Sequence, residues 1–212
     1  MRISDLAAGS GLTATSIKWY VSEGLLPAGD RTGYNQTEYT EDHLTRLHLI
    51  RSLIEVGGLS VAAVKDVLSA ADDPGHPFGN TLGIAQASLP RVATPPSEES
   101  LRQVQAAASE LGWQVHDENP GLPAAAAVLD RYRAQGRDDL TTTLPDYLRA
   151  AEMVAEADLD AVTKNLDQGP AVAAQTVVVG TVLGDALFAG LRRMAQENES
   201  VRRFAPTPGS PT

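Results

Sequence analysis

The sequence predicts a mostly α-helical protein that opens in a winged helix-turn-helix and closes in an all-helical bundle. Three observations predict it. Residues 3–26, ISDLAAGSGLTATSIKWYVSEGLL, read as two short helices joined by a glycine-bearing turn. From Ser97 onward, apolar residues recur at helical spacing in stretches bounded by glycines and prolines. No strand pattern is convincing outside a short segment after Pro27.

Ser4 is a plausible N-cap for the first helix, with Asp5 against its positive end. Leu6 and Ala7 point inward until Gly9-Ser10-Gly11 breaks the helix. Thr13 caps the second helix, which buries Ile17 and Val21 and stops at Gly24. Its other face carries Thr15, Ser16, Lys18, Trp19 and Tyr20: hydroxyls, a cation and two aromatics with polar tips. That surface on the second helix of such a pair fits entry into the DNA major groove; the alternative is a hairpin that only packs. Arg31 to Gln36 reads as a turn between extended segments, a wing beside the second helix. Thr40-Glu41-Asp42 starts a longer helix with Leu44, Leu47, Ile50 and Ile54 on one stripe, ending at Gly57-Gly58. Ser60 caps a fourth, with Val61, Val64, Val67 and Leu68 inward.

The opening ISDLA, the run SIKWYVSEGLLP, the wing RTGY, and the order TEDHLTRLHLIRSL, GG, LSVAAVKDVL together resemble the MerR family of transcription regulators over residues 1–70. The resemblance implies a homodimer on double-stranded DNA at a pseudo-palindromic operator, distorting it to realign promoter elements for RNA polymerase. It places Thr13, Thr15, Ser16, Lys18, Trp19 and Tyr20 at the groove, and Arg31, Tyr34, Asn35 and Tyr39 on the wing. Ser60 and Lys65 suit phosphates near the fourth helix. Lys18-Trp19-Tyr20 stands where the family usually has an arginine and two tyrosines. The wing is longer than usual, and Ile54-Glu55 replaces a basic residue found in some members.

Composition narrows the rest. The 212 residues carry a formal charge of −10, awkward for a DNA binder. Residues 1–70 hold six cations (Arg2, Lys18, Arg31, Arg46, Arg51, Lys65) against eight acids, so even the reading head is about −2. The absence of cysteine excludes disulfides, thiolate metal sites and cysteine-ligated clusters, and with them the family's metal- and redox-sensing branches. His43, His48, His76 and His116 do not space as metal ligands, and no phosphate loop, nucleophile elbow or catalytic carboxylate pair appears; no enzyme, metal or cofactor is expected. No secretory signal opens the chain, and a cytoplasmic location follows. Residues 171–191 have the length of a membrane span, but Gln175, Asp185 and several glycines favour a buried bundle helix.

Domains are expected at 1–72 (DNA binding), 73–97 (a linker with a short helix) and 98–204 (helical dimerisation and effector domain), with a disordered tail at 205–212. The long helix before Asp167 offers Tyr147, Ala151, Val154, Ala155 and Leu159 inward. The last helix is apolar nearly all round, and Gly180, Gly184, Leu187 and Phe188 make it the candidate dimer interface, although no heptad is sustained enough for a coiled coil. Asp185 interrupts it; its carboxylate either faces solvent or pairs with Arg149 or Arg192, or it lines a cavity with Trp113, Tyr147 and Met153 for a small organic, cationic effector. Two other functions fit the same residues: an architectural DNA protein without an effector, or an interaction module that has lost DNA binding.

Overall fold

The computed structural model describes residues 1–34, 36–73, 78–89 and 94–204. Asn35, the prolines at 74, 77 and 90, and the tail 205–212 lie outside the described residues. Among those described, nine helices and one hairpin follow in order: α1 (Ile3–Ser10), α2 (Ala14–Ser22), β1 (Asp30–Gly33), β2 (Gln36–Glu38), α3 (Glu41–Glu55), α4 (Val61–Asp72), α5 (Phe78–Ser88), α6 (Glu98–Glu110), α7 (Gly121–Ala134), α8 (Leu144–Asn165) and α9 (Pro170–Phe204). Short 3-10 turns, Asp138–Thr143 and Leu166–Gln168, flank α8.

Local chemistry sets the helix ends. The α1 cap is Arg2 rather than Ser4: the Asp5 carboxylate accepts from the Arg2 N–H at 2.7 Å, which draws Ser4 into the first turn. The helix closes at Gly11 in the left-handed region, φ 68°. Thr13 caps α2 by accepting from Ser16 N–H at 3.0 Å, and Ser60 caps α4 by accepting from Ala63 N–H at 3.2 Å. His43 accepts the Thr40 N–H on Nδ1 at 3.1 Å, a role in capping α3.

The wing is an antiparallel pair, Asp30 opposite Glu38 and Arg31 opposite Thr37. Gly29 is required at its base, because a Cβ there would stand 2.5 Å from the Glu38 carbonyl. The end of β2 is held by Met1, whose amine donates to the Tyr39 carbonyl at 2.7 Å while Tyr39 N–H donates to Met1 O at 2.8 Å.

The main core does not stop at residue 72. Leu6, Ile17, Leu47, Ile50, Leu53, Val64, Val67 and Leu68 of the first four helices are buried together with Ala85 of α5 and with Val178 and Val182 of α9. The expected linker helix α5 is thus a wall of the reading head, and the last helix of the expected C-terminal domain packs into that same head. The approach is close: a Cβ on Gly57 would meet Val182 Cγ1 at 2.2 Å. The remaining cores are small. Val104, Ala126 and Leu129 join α6 to α7, and Val162, Ala173 and Val177 join α8 to α9. On α8 it is Leu148 and Val162 that are buried, whereas Tyr147, Ala151, Ala155 and Leu159 are exposed and Val154 is half-buried.

The α6–α7 pair is fastened by Asp130. Its carboxylate accepts from Ser97 N–H and Ser97 Oγ at 2.7 Å and from Ser100 Oγ at 2.6 Å. The Ser100 and Ser97 hydrogen bonds, with Arg133 adding attraction, hold its pKa down to about 2. The last helix is long and apolar enough to cross a membrane by length and composition, yet only 22% of its most apolar window is buried. Its first half is the buried bundle helix expected; its second half is not.

Candidate nucleic-acid interface

The Thr13 cap leaves the earliest N–H groups of α2 open at the positive end of the helix, where a phosphate oxygen can accept them. Thr13, Thr15 and Lys18 are exposed, Ser16 is half-buried with its hydroxyl 2.8 Å from Thr13 Oγ1, and Trp19 is 44% exposed. Ile17 anchors the opposite face at 0% exposure. Tyr20 differs from expectation. Three residues after Ile17, it lies on the same inner stripe and is 8% exposed, its ring tilted against Trp19 at 5.3 Å. It shapes the reading helix from within rather than lining the groove.

On the wing, Arg31 is exposed and Tyr34 is 98% exposed at the hairpin tip. Tyr39 is buried at 8%, edge-on to His43, so it belongs to the base of the wing and not to its outer surface. Ser60 and Lys65 are exposed on α4. Lys65 borders a shallow hollow shared with Gly24 and Leu25, but also with Asp66, Asp72 and Asp73, which weakens its field for an anion.

Two of the six cations of the head are committed elsewhere. Arg46 grips Asp72 with two bonds of 2.8 and 2.6 Å and donates from Nε to the Leu25 carbonyl at 3.1 Å. It ties the end of α4 to the turn after α2. Arg51 pairs with Glu55 at 2.9 Å and also reaches the Ser10 carbonyl. That partnership raises the Arg51 pKa and lowers that of Glu55. Among the described residues, Arg2, Lys18, Arg31 and Lys65 make no ion pair. Position i,i+4 hints at the Arg51–Glu55 pair; nothing local signals Arg46–Asp72, which are 26 residues apart.

The four expected effector residues do not enclose a cavity. Trp113 is half-buried and donates from Nε1 to Glu152 at 2.9 Å, while Tyr147 and Met153 are 46% and 72% exposed. Asp185 is exposed and faces Asp158; partial burial and that like charge raise its pKa. Arg149 bonds Asp146 and Arg192 bonds the Tyr147 hydroxyl, so neither serves Asp185. The reason is that α8 lies at the surface rather than across a cleft. A hollow of about 370 Å³ does lie elsewhere, between α3, the end of α4 and the start of α9, with Leu49, Val178, Thr45 and Gln175 on its walls. No group of residues able to hold a metal occurs among the described residues. His116 serves its own loop by accepting Glu118 N–H. The candidate dimer residues lie free on α9: Leu187 is 64% and Phe188 36% exposed, and Cβ atoms on Gly180 would meet nothing within 4 Å.

Residues 1–71 match the family model of the MerR HTH family regulatory proteins. Over 69 residues the chain is 35% identical to the HTH-type transcriptional regulator ZntR homolog of Haemophilus influenzae, covering 32% of this chain and 50% of that one. Over 111 residues it is 27% identical to the HTH-type transcriptional regulator CueR of Escherichia coli, covering 52% and 78%. It therefore spans half the length of the first relative and about three quarters of the second. Nearly the whole fold, 98% of this chain and 99% of the other, superposes on the crystal structure of SCO5550 from Streptomyces coelicolor A3(2), a protein assigned to the transcriptional regulators, with a TM-score of 0.67 and 31% identity.

Proposed function

Because the chain belongs to the MerR family of HTH regulatory proteins, we propose that it is a sequence-specific transcription regulator that binds a pseudo-palindromic promoter operator as a homodimer and distorts it. The observation that carries this reading is the division of the head's cations. Arg46 and Arg51 are spent inside the fold, whereas Lys18 stands exposed beside Thr15 and Trp19 on α2 and Arg31 beside Tyr34 on the wing. The α2 face reads the major groove, with its capped N-terminus on a phosphate. The wing, with Asn35 at its turn, follows the adjacent backbone, and Ser60 with Lys65 adds phosphate contacts from α4. Bending and untwisting the operator draws on contacts made by both subunits, and realigns promoter elements for RNA polymerase. For a small organic effector, the hollow between α3, α4 and α9 is the better seat: a ligand there touches the reading head and the last helix together.

A genomic-fragment binding selection at low salt, beginning with DNA upstream of the protein's own gene, supplies the operator. On that operator, Lys18→Ala is expected to weaken binding about tenfold or more while leaving the melting temperature unchanged. Full affinity in the variant would remove α2 as the reading helix. Enrichment of no fragment at all would favour the interaction-module reading, which the net charge of −10 also favours.

A further inference from the structure

Three sides of α9 have different fates. Val178 and Val182 face the reading head and are buried in its core. A second side meets α8, where Arg192 lies over the Tyr147 ring and the Asp158 carboxylate comes within 3.9 Å of a Cβ built on Gly184. A third side is uncovered. On it Leu187, Leu191, Met194 and Val201 are 64%, 51%, 67% and 61% exposed, with Asn198 exposed between the last two. These positions are spaced four, three, four and three, which is two heptads with Leu187, Met194 and Val201 at d and Leu191 and Asn198 at a. At 100° per residue the stripe points roughly opposite to Val178 and Val182. Toward the head it continues over Gly180, beside which the surface is open.

Resting on the two-fold reading above, we propose that this stripe is the seam of a parallel two-helix coiled coil between α9 and the α9 of a second copy of the chain. Charge selects that partner and that direction. In the heptad frame Glu197 occupies g and Arg202 occupies e. A parallel pair sets each g opposite the e position five residues on in its mate, so Glu197 meets Arg202 of the partner subunit, twice by symmetry. An antiparallel pair that seats Asn198 against the opposite Met194 brings the two Glu197 side chains together instead. Arg202 is free to change partners, since its bond to Glu199 is an exposed surface pair. Asn198 meets its counterpart at an a layer, where a buried amide pair fixes register and holds the number of strands at two. The seam lies on the side of α9 away from the head, so both reading heads remain clear on the outer flanks.

The chain has no cysteine, so single introduced thiols report the register directly. Under mild oxidation, full-length Val201→Cys is expected to convert to a disulfide-linked dimer, because equivalent d positions of a parallel pair lie within disulfide reach. Ser200→Cys, on the outer face, should stay monomeric in denaturing gels. By sedimentation, Glu197→Arg should raise the dimer dissociation constant about tenfold, and Glu197→Arg with Arg202→Glu should restore it. A dimer whose Val201→Cys form does not cross-link would overturn the seam and leave the two-fold reading standing. A chain that stays monomeric at operator-binding concentrations would overturn both. Cross-linking as expected in a protein that selects no DNA would keep the seam and remove the regulator. Pelleting of monomers with anionic vesicles would give the stripe to a membrane surface and overturn the proposal.

Discussion

Arg46 and Lys18 carry the same charge in the same small domain and do opposite work. Arg46 has a side-chain exposure of 16% and spends its guanidinium on Asp72 and on the Leu25 carbonyl, closing the seam between the α2 turn and α4. Arg46→Ala should therefore cost about 1–2 kcal/mol of stability through lost charge-assisted bonds, and should leave the salt dependence of operator binding unchanged. Lys18→Ala should do the reverse: unchanged unfolding midpoints, and a salt slope shallower by about one per subunit. Urea titration with salt-dependent binding on both variants separates the roles; a slope change in Arg46→Ala would return that residue to the DNA surface. Tyr20 and Tyr39 teach a related lesson. An aromatic with a polar tip reads equally well as groove-facing or as core, and only its phase relative to Ile17 and the wing base decides for burial.

The elements were legible where their signals are local. Thr13, Ser60 and Ser97 announce helix starts, Gly11 and Gly24 announce stops, and the bounds of α7, α8 and α9 fall within a few residues of those read from the sequence. What was illegible is which elements meet. The packing of Val182 on Gly57 joins residues 125 positions apart, and no periodicity encodes a contact between the last helix and the first domain. The two-heptad stripe on α9 was hidden for another reason: the helix is apolar nearly all round, so its free side stands out only once the other two are covered. The packing itself is testable. Gly57→Ala puts a methyl into Val182 and should destabilise the full chain by about 1–3 kcal/mol. Adding Val182→Ala should recover part of that loss, although Val182→Ala alone also destabilises, by leaving a cavity. Strictly additive losses in thermal or urea unfolding would mean that α9 does not sit against the head.

At the scale of the molecule the governing quantity is charge. A chain of −10 must approach a polyanion with a head that is itself about −2 by its named residues. Its long-range field therefore opposes encounter, and attraction is confined to the few cations the fold leaves unpaired. With Arg46 and Arg51 held internally, Arg2, Lys18, Arg31 and Lys65 remain on each head, about eight in a dimer. If each neutralised one phosphate, the logarithm of the operator affinity would fall with the logarithm of salt at a slope no steeper than about −7. Between 50 and 200 mM salt that is a loss of about ten-thousandfold at most. Random DNA should be bound weakly throughout, since it offers the same phosphates without the base contacts of the α2 face. Titrations of operator and random duplexes across that salt range measure both quantities. A slope steeper than −10 would require cations from outside the head, and Arg192, Arg193, Arg202 and Arg203 at the far end of α9 are the candidates. Those residues flank the proposed dimer seam, so such a slope would mean that the DNA bends far enough around the dimer to reach the distal half of α9.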